Sequence, residues 1–251
     1  MEPNPLEKLL QIGQKTDKPD EVQEAIRWVK QNRSLICNKF ANVEKIPGVK
    51  YPESIFMAGP PGAGKTEFSI DLLSVAAAEH DKRYVRVDAD EIRPLLSGYN
   101  GKNAELFNPP SSLAVEKILD HVHKHNQNVL VDSTLSKKGV AEKNIKRALS
   151  HKRRVAIMYI YQEPEKAWEF TKAREAVEGR HVSREAFMNA FVESRETAND
   201  LKKLFGNDVY LHIVVKDSFN RISMFKYNID KIDGYLKKVY NKQDLENLLD
   251  A

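Results

Sequence analysis

The chain has 251 residues, 41% hydrophobic and 30% charged, with a formal net charge of +4. This composition describes a globular protein and excludes collagen-like, low-complexity and disordered classes. The single cysteine, Cys37, excludes an internal disulfide framework and a cysteine-built metal site. No apolar run approaches the ~18 residues of a membrane helix, and no basic start followed by an apolar stretch reads as a leader, so a cytoplasmic protein with no membrane partner is expected.

Residues 1–50 read as a helical N-terminal extension. Leu6, Leu9 and Leu10 form a small apolar stripe, and Asp20 is placed to cap a helix through Val22, Ala25, Ile26 and Val29, with Trp28 beside them. Stripes of this kind usually pack on their own domain. Pro47-Gly48 and Pro52 then punctuate the chain. From Ser54 strands alternate with helices. The expected strands are 54–58, 84–88, 128–132, 154–161 and 209–215; the helices lie near 67–80, 111–127, 138–150, 164–178 and 183–205. Pro164 suits a first helical turn, and Gly179 and Gly206 suit helix ends. Such alternation predicts an α/β domain over 51–218, with a five-stranded, mainly parallel sheet and helices on both faces. Residues 219–251 read as a helical C-terminal extension of the same domain.

The first strand runs into Gly59-Pro60-Pro61-Gly62-Ala63-Gly64-Lys65-Thr66, and an amphipathic helix follows. Strand, glycine loop and helix are the context that makes G-x-x-x-x-G-K-[ST] a phosphate cradle. Backbone N–H groups of the loop and the helix start face the anion. Lys65 is expected to reach the β- and γ-phosphates of a nucleoside triphosphate, and the Thr66 hydroxyl to hold magnesium.

Ligands of open α/β sheets bind beyond the carboxyl ends of the strands. There the second strand ends in Val87-Asp88-Ala89-Asp90-Glu91-Ile92-Arg93 and the third in Asp132-Ser133-Thr134. Phosphoryl transfer to a hydroxyl needs charge neutralisation, alignment and a carboxylate to take the proton. Asp90 is the expected base. Asp132 follows an apolar run and is a candidate for holding magnesium or ordering its waters. The plain alternative for both is a strand-end aspartate that caps the next turn, which is the reading for Asp88. After the fourth strand, Arg174 and Arg180 flank the helix-breaking Gly179. They are placed to clamp the transferring group opposite Lys65; the plain alternative is pairing with Glu175 and Glu178.

Three other signals carry less. Asn241-Lys242-Gln243-Asp244 spells a guanine-reading tetrapeptide but follows a stretch, 235–240, that reads as helical. Of His121, His123 and His125, only the outer two share a helix face, so no metal site is read. Residues 137–154 are rich in lysine and arginine with little aromatic interleaving, so a solvated face is the reading and a nucleic-acid partner is not expected.

In order, GPPGAGKT, VDADEIR, VLVDST and REAVEGRHVSREAF resemble the zeta-toxin family of kinases, over about residues 54–217. The resemblance implies a three-layer P-loop kinase fold, ATP and Mg2+, and phosphorylation of the 3′-hydroxyl of UDP-N-acetylglucosamine. It also implies a toxin restrained by an antitoxin protein. Lys65 and Thr66 match the family's loop residues, Asp90 its general base, and Asp132 and Thr134 its acidic and hydroxyl residues near substrate. Arg174 and Arg180 match arginines that contact ATP phosphates. With Arg93, which closes VDADEIR, Asp90, Asp132 and Thr134 form the expected substrate-binding set. Asp132-Ser133 stands where the family often has Glu-Gly, which reshapes the acceptor pocket. A polynucleotide or other metabolite kinase, and an ATP-driven switch with no small-molecule acceptor, stay open as alternatives.

Overall fold

The computed structural model describes residues 20–179 and 181–249. In chain order the elements are α1 (Asp20–Gln31), α2 (Arg33–Phe40), β1 (Glu53–Ala58), α3 (Lys65–His80), β2 (Tyr84–Asp88), the one-turn α4 (Ala89–Ile92), α5 (Asn108–Lys124), β3 (Asn128–Asp132), α6 (Lys138–Ser150), β4 (Arg154–Tyr161), α7 (Pro164–Glu178), α8 (Arg184–Phe205), β5 (Val209–Lys216), β6 (Ile222–Lys226) and α9 (Lys242–Leu249). The strands form one sheet in the order β2-β3-β1-β4-β5-β6. Pairings among β1 to β5 are parallel, and β6 lies antiparallel on β5. The order reverses at β1, between β3 and β4, and this switch point places the ligand crevice at the end of the first strand.

The sheet thus has six strands, not five. The added strand lies in the stretch assigned to a helical C-terminal extension. Its sequence, ISMFK, shows no clean burial alternation: Ile222 is 53% exposed and Met224 and Phe225 are half-buried neighbours. An edge strand that covers only part of a core leaves a weak period-2 signal. The stretch 235–240 is not helical either. A short 3₁₀ turn, Asp233–Tyr235, is followed by irregular chain until α9. Asn241 and Asp244 are the cap of α9: the Asn241 Oδ1 accepts from the Asp244 N–H at 2.9 Å, and Asp244 Oδ2 accepts from the Asn241 N–H at 3.0 Å. The tetrapeptide is therefore a reciprocal capping box. The leucine stripe at Leu6, Leu9 and Leu10 lies outside the described residues.

Alternation along each strand sorts the core onto two faces. Phe56, Val131, Ile157 and Leu211 face a large core completed by Ile118, Ile145 and Phe191 of α5, α6 and α8. Val22, Ala25 and Val29 of α1 and Ile36 of α2 enter the same core. Met57, Leu130, Met158 and Val214 face a smaller one, which includes Ala63 and Phe68 of the loop and α3.

Two of the discounted signals have structural roles. His121 and His125 rings lie 4.3 Å apart, while His123 is buried against His151. Burial, then Arg153 and Arg147, push His123 down to about 3, so its ring stays neutral. Within the basic stretch, Lys138 pairs with Asp200, Lys146 with Glu142 and Arg147 with Asp120. Arg153 is buried, donating to Ser54 Oγ, Glu53 O and Gln127 O at 2.6–2.7 Å. Among the described residues no helix is long and apolar enough to cross a membrane.

Candidate active site

The loop after β1 wraps tightly against its neighbours. Gly62 has φ +72 and a Cβ there would collide with the Ala167 carbonyl of α7; Gly64 has φ +78 and caps α3 in the left-handed region. Both positions need glycine for backbone and for space. The Gly59 N–H donates to the Thr134 carbonyl at 3.1 Å, tying the loop to the end of β3. The Lys65 ammonium donates to the Pro60 carbonyl at 2.6 Å, inside the loop.

A cleft opens beside this loop, lined by Pro61, Gly62, Gly64, Lys65, Thr66, Asp88, Ala89, Asp90, Arg93, Asp132, Ser133, Thr134, Thr171, Arg174 and Val182. It brings together all the expected site residues except Gly59, Pro60 and Ala63, which shape the loop from behind, and Arg180, which lies outside the described residues. Parallel strands make this possible: β2 and β3 pair with Asp88 opposite Asp132, so both strand ends reach the loop together.

The carboxylates are held differently. Asp88 caps α4, its Oδ1 accepting from the Asp90 N–H at 2.8 Å, as its plain reading expects. Asp90 forms an ion pair with Arg93, three residues on. Arg93 is buried, and its other arm donates to Asn108 Oδ1 at 2.9 Å, so α5 fixes the arginine that fixes Asp90. Thr134 Oγ1 lies 3.0 Å from Ser136 Oγ.

Arg86, like Asn108, is a residue of the site that the sequence does not announce. Its Nη2 donates to Asp132 Oδ2 at 2.6 Å and to Asp88 Oδ2 at 2.8 Å, its Nη1 pairs with Glu91, and its Nε donates to Ser69 Oγ at 3.1 Å. Ser69 reaches back to the Thr66 carbonyl at 2.8 Å and to Asp132 Oδ2 at 3.2 Å. One guanidinium therefore joins both strand ends to the phosphate loop helix. Burial works against its charge, but Asp132, Asp88 and Glu91 together hold its pKa above the ordinary arginine value. Strand alternation carried the signal, since Arg86 and Asp88 sit two apart on one face.

Sharing one cation among three carboxylates leaves Asp88 under-compensated. Burial, then Asp90 and Asp132, raise its pKa to about 6, against the opposing Asp90 N–H and Arg86. The folded chain then holds a proton at Asp88 that the unfolded chain releases near pH 4. Stability from that proton is full below pH 4 and is lost as pH rises to about 6. Asp88→Asn is expected to gain on the wild type by roughly 3 kcal/mol between pH 4 and 6.5. Urea unfolding without magnesium measures it, and a difference independent of pH would refute it.

The donor set, one hydroxyl and one carboxylate beside a phosphate cradle, suits a hard cation such as Mg2+, which takes few protein ligands and keeps several waters.

The model of the zeta toxin family matches residues 38–230. The chain belongs to the zeta toxin family. Among solved structures, this zeta toxin family member is similar to one from the PezAT chromosomal toxin–antitoxin system of Streptococcus pneumoniae, at 17% identity and TM-score 0.61, over 88% of this chain and 86% of that one. It is similar to AvrRxo1-ORF1:-ORF2 solved with ATP, at 16% identity and TM-score 0.63, over 88% and 72% of the two chains. The AvrRxo1-ORF1:AvrRxo1-ORF2 complex with sulphate ions aligns at 15% identity and TM-score 0.63, over 97% and 79%. At these identities the likeness shows a shared P-loop kinase-like fold. No curated protein matches this zeta toxin family chain.

Proposed function

We propose that the chain is an ATP-dependent kinase that transfers a γ-phosphoryl group to a sugar hydroxyl, with the 3′-hydroxyl of UDP-N-acetylglucosamine as acceptor. The observation that carries this reading is the Arg93-held Asp90 carboxylate in the same cleft as Lys65 and Thr66. A phosphate loop alone serves switches and motors; a positioned carboxylate beside it adds a proton acceptor for an alcohol. In the reaction the acceptor oxygen attacks the γ-phosphorus, Asp90 takes the hydroxyl proton, and the bond from phosphorus to the β–γ bridging oxygen breaks to release ADP. Lys65, with Arg174 and Arg180, neutralises charge on the transferring group. Thr66 and Asp132 would hold Mg2+, which supplies further neutralisation of the phosphates. Thr134 and Arg93 face the acceptor.

Family membership supports action as a toxin, in the cytoplasm where ATP is supplied, with an antitoxin as partner. The neighbour solved with ATP supports the donor. The test incubates the full chain, ATP and Mg2+ with UDP-N-acetylglucosamine, with oligonucleotides and with a metabolite extract, read by mass spectrometry. One phosphoryl mass gained on the nucleotide sugar, absent with Lys65→Ala, is the expected result. Gain on oligonucleotide alone assigns a polynucleotide kinase. ATP loss with no phosphorylated acceptor in any mixture would sink the kinase reading.

A further inference from the structure

Thr66 and Asp132, the two side chains read above as cation ligands, come from different elements. Thr66 opens α3 and Asp132 ends β3. Mg2+ demands near-ideal octahedral geometry, so the spacing of the two matters as much as their presence.

One hydrogen-bonded circuit spans the gap between them. The Ser69 side chain, on α3, is buried at 0% exposure. Its hydroxyl lies 2.8 Å from the Thr66 carbonyl and 3.2 Å from Asp132 Oδ2. A serine hydroxyl has one hydrogen to give, and the shorter contact assigns it to Thr66. Arg86 then supplies the hydrogens that the circuit lacks. Its Nε donates to Ser69 Oγ at 3.1 Å, and its Nη2 donates to Asp132 Oδ2 at 2.6 Å. Without Arg86, the Thr66 carbonyl and Asp132 would compete for the single serine hydrogen.

The guanidinium is itself fixed by β2 and α4. Nη2 also reaches Asp88 Oδ2 at 2.8 Å, and Nη1 pairs with Glu91. The Asp132 side chain is 4% exposed. Arg86 and Ser69 occupy its Oδ2, and among the described residues no donor reaches its Oδ1. That oxygen is left for the cleft that Asp132 lines. Charge agrees with this arrangement. One guanidinium among three carboxylates leaves the group net negative, so a divalent cation is still attracted to it.

We infer that Arg86, acting through Ser69, is a positioning residue for the cation of the nucleotide: it holds Asp132 in register with Thr66 so that both serve one Mg2+. The inference rests on reading the loop as a nucleoside triphosphate site with those two ligands. The planar fork of arginine is what the circuit needs. A lysine keeps the charge but concentrates its donors at one point, and it does not span Asp132 and Ser69 together.

The test measures binding of the β,γ-imido analogue of ATP to the full chain by calorimetry, once with excess Mg2+ and once with EDTA. The ratio of the two affinities reads the contribution of the cation. Wild type is expected to gain more than about tenfold from Mg2+, and Arg86→Lys and Ser69→Ala each to lose about tenfold of that gain, the lower end of what a partner of a metal ligand is worth. Affinity in EDTA is expected to stay nearly unchanged in both. The double variant is expected to lose little more than either single one, because both cut the same circuit. Urea midpoints are read in parallel. A purely structural Arg86 would lower the midpoints and leave the Mg2+ gain at its wild-type value in both variants, which overturns the inference. Ser69→Ala removes one oxygen and keeps the test decisive if Arg86→Lys does not fold. A wild type with no Mg2+ gain removes the cation ligands and the inference with them. The kinase reading is judged apart: a gain lost in the variants upholds the circuit even in a chain that phosphorylates no acceptor, while transfer with the gain untouched removes it.

Discussion

Asp90→Asn is expected to keep nucleotide binding and lose phosphoryl transfer by about 10²–10⁴-fold, the range for removing a general base. The change keeps size and shape, so the partners that hold the position survive: the amide oxygen still accepts from Arg93, and Asn108 still anchors Arg93. What is lost is the capacity to take a proton from the acceptor hydroxyl. Single-turnover transfer, compared with ATP affinity measured separately, reads the two apart. Transfer within a few-fold of wild type would remove Asp90 as the base and leave Arg93 to explain the geometry by packing alone.

Arg86→Ala is expected to cost about 3–5 kcal/mol of stability, the range for stripping one partner from a buried ion cluster. The Arg86 side chain is 13% exposed and touches three carboxylates, with those of Asp88 and Asp132 at 11% and 4% exposure. Removing it leaves those charges facing one another with water largely excluded. Arg86→Lys is expected to recover part of the loss, because an ammonium keeps the charge but not the fork that spans Asp88, Asp132 and Ser69. Urea midpoints at constant slope measure the cost. A loss under 1 kcal/mol in Arg86→Ala would show that the cluster is neutralised from elsewhere.

Much of the site was legible because its parts are local. The loop from Gly59 to Thr66 carries its geometry in eight consecutive residues, and strand-end carboxylates follow from the parallel order. The parallel core was legible for the same reason, through long apolar strands such as Arg154–Tyr161. Arg86 and Asn108 were not, because their meaning lies in partners 46 and 15 residues away in the chain. The edge strand Ile222–Lys226 escaped for a different reason: only the neighbours Met224 and Phe225, on opposite faces, are half-buried, so it lacks the pattern that marks interior strands. The tetrapeptide Asn241–Asp244 shows the converse, a motif whose letters matched a ligand site and whose spacing served a helix cap.

The smaller core has a consequence for the lifetime of the chain. Two of its members, Ala63 and Phe68, belong to the loop and helix proposed above to hold the phosphates. That face of the sheet is therefore clamped from outside by the same segment that is clamped from inside by a bound triphosphate. At a hundredfold excess over its dissociation constant, a ligand adds about 2.7 kcal/mol to the folded state. Proteases that act on the opened chain follow its population, so they would meet roughly a hundredth of it when the loop is filled. The abundance of this protein in a cell would then track the triphosphate supply, falling first where energy runs short.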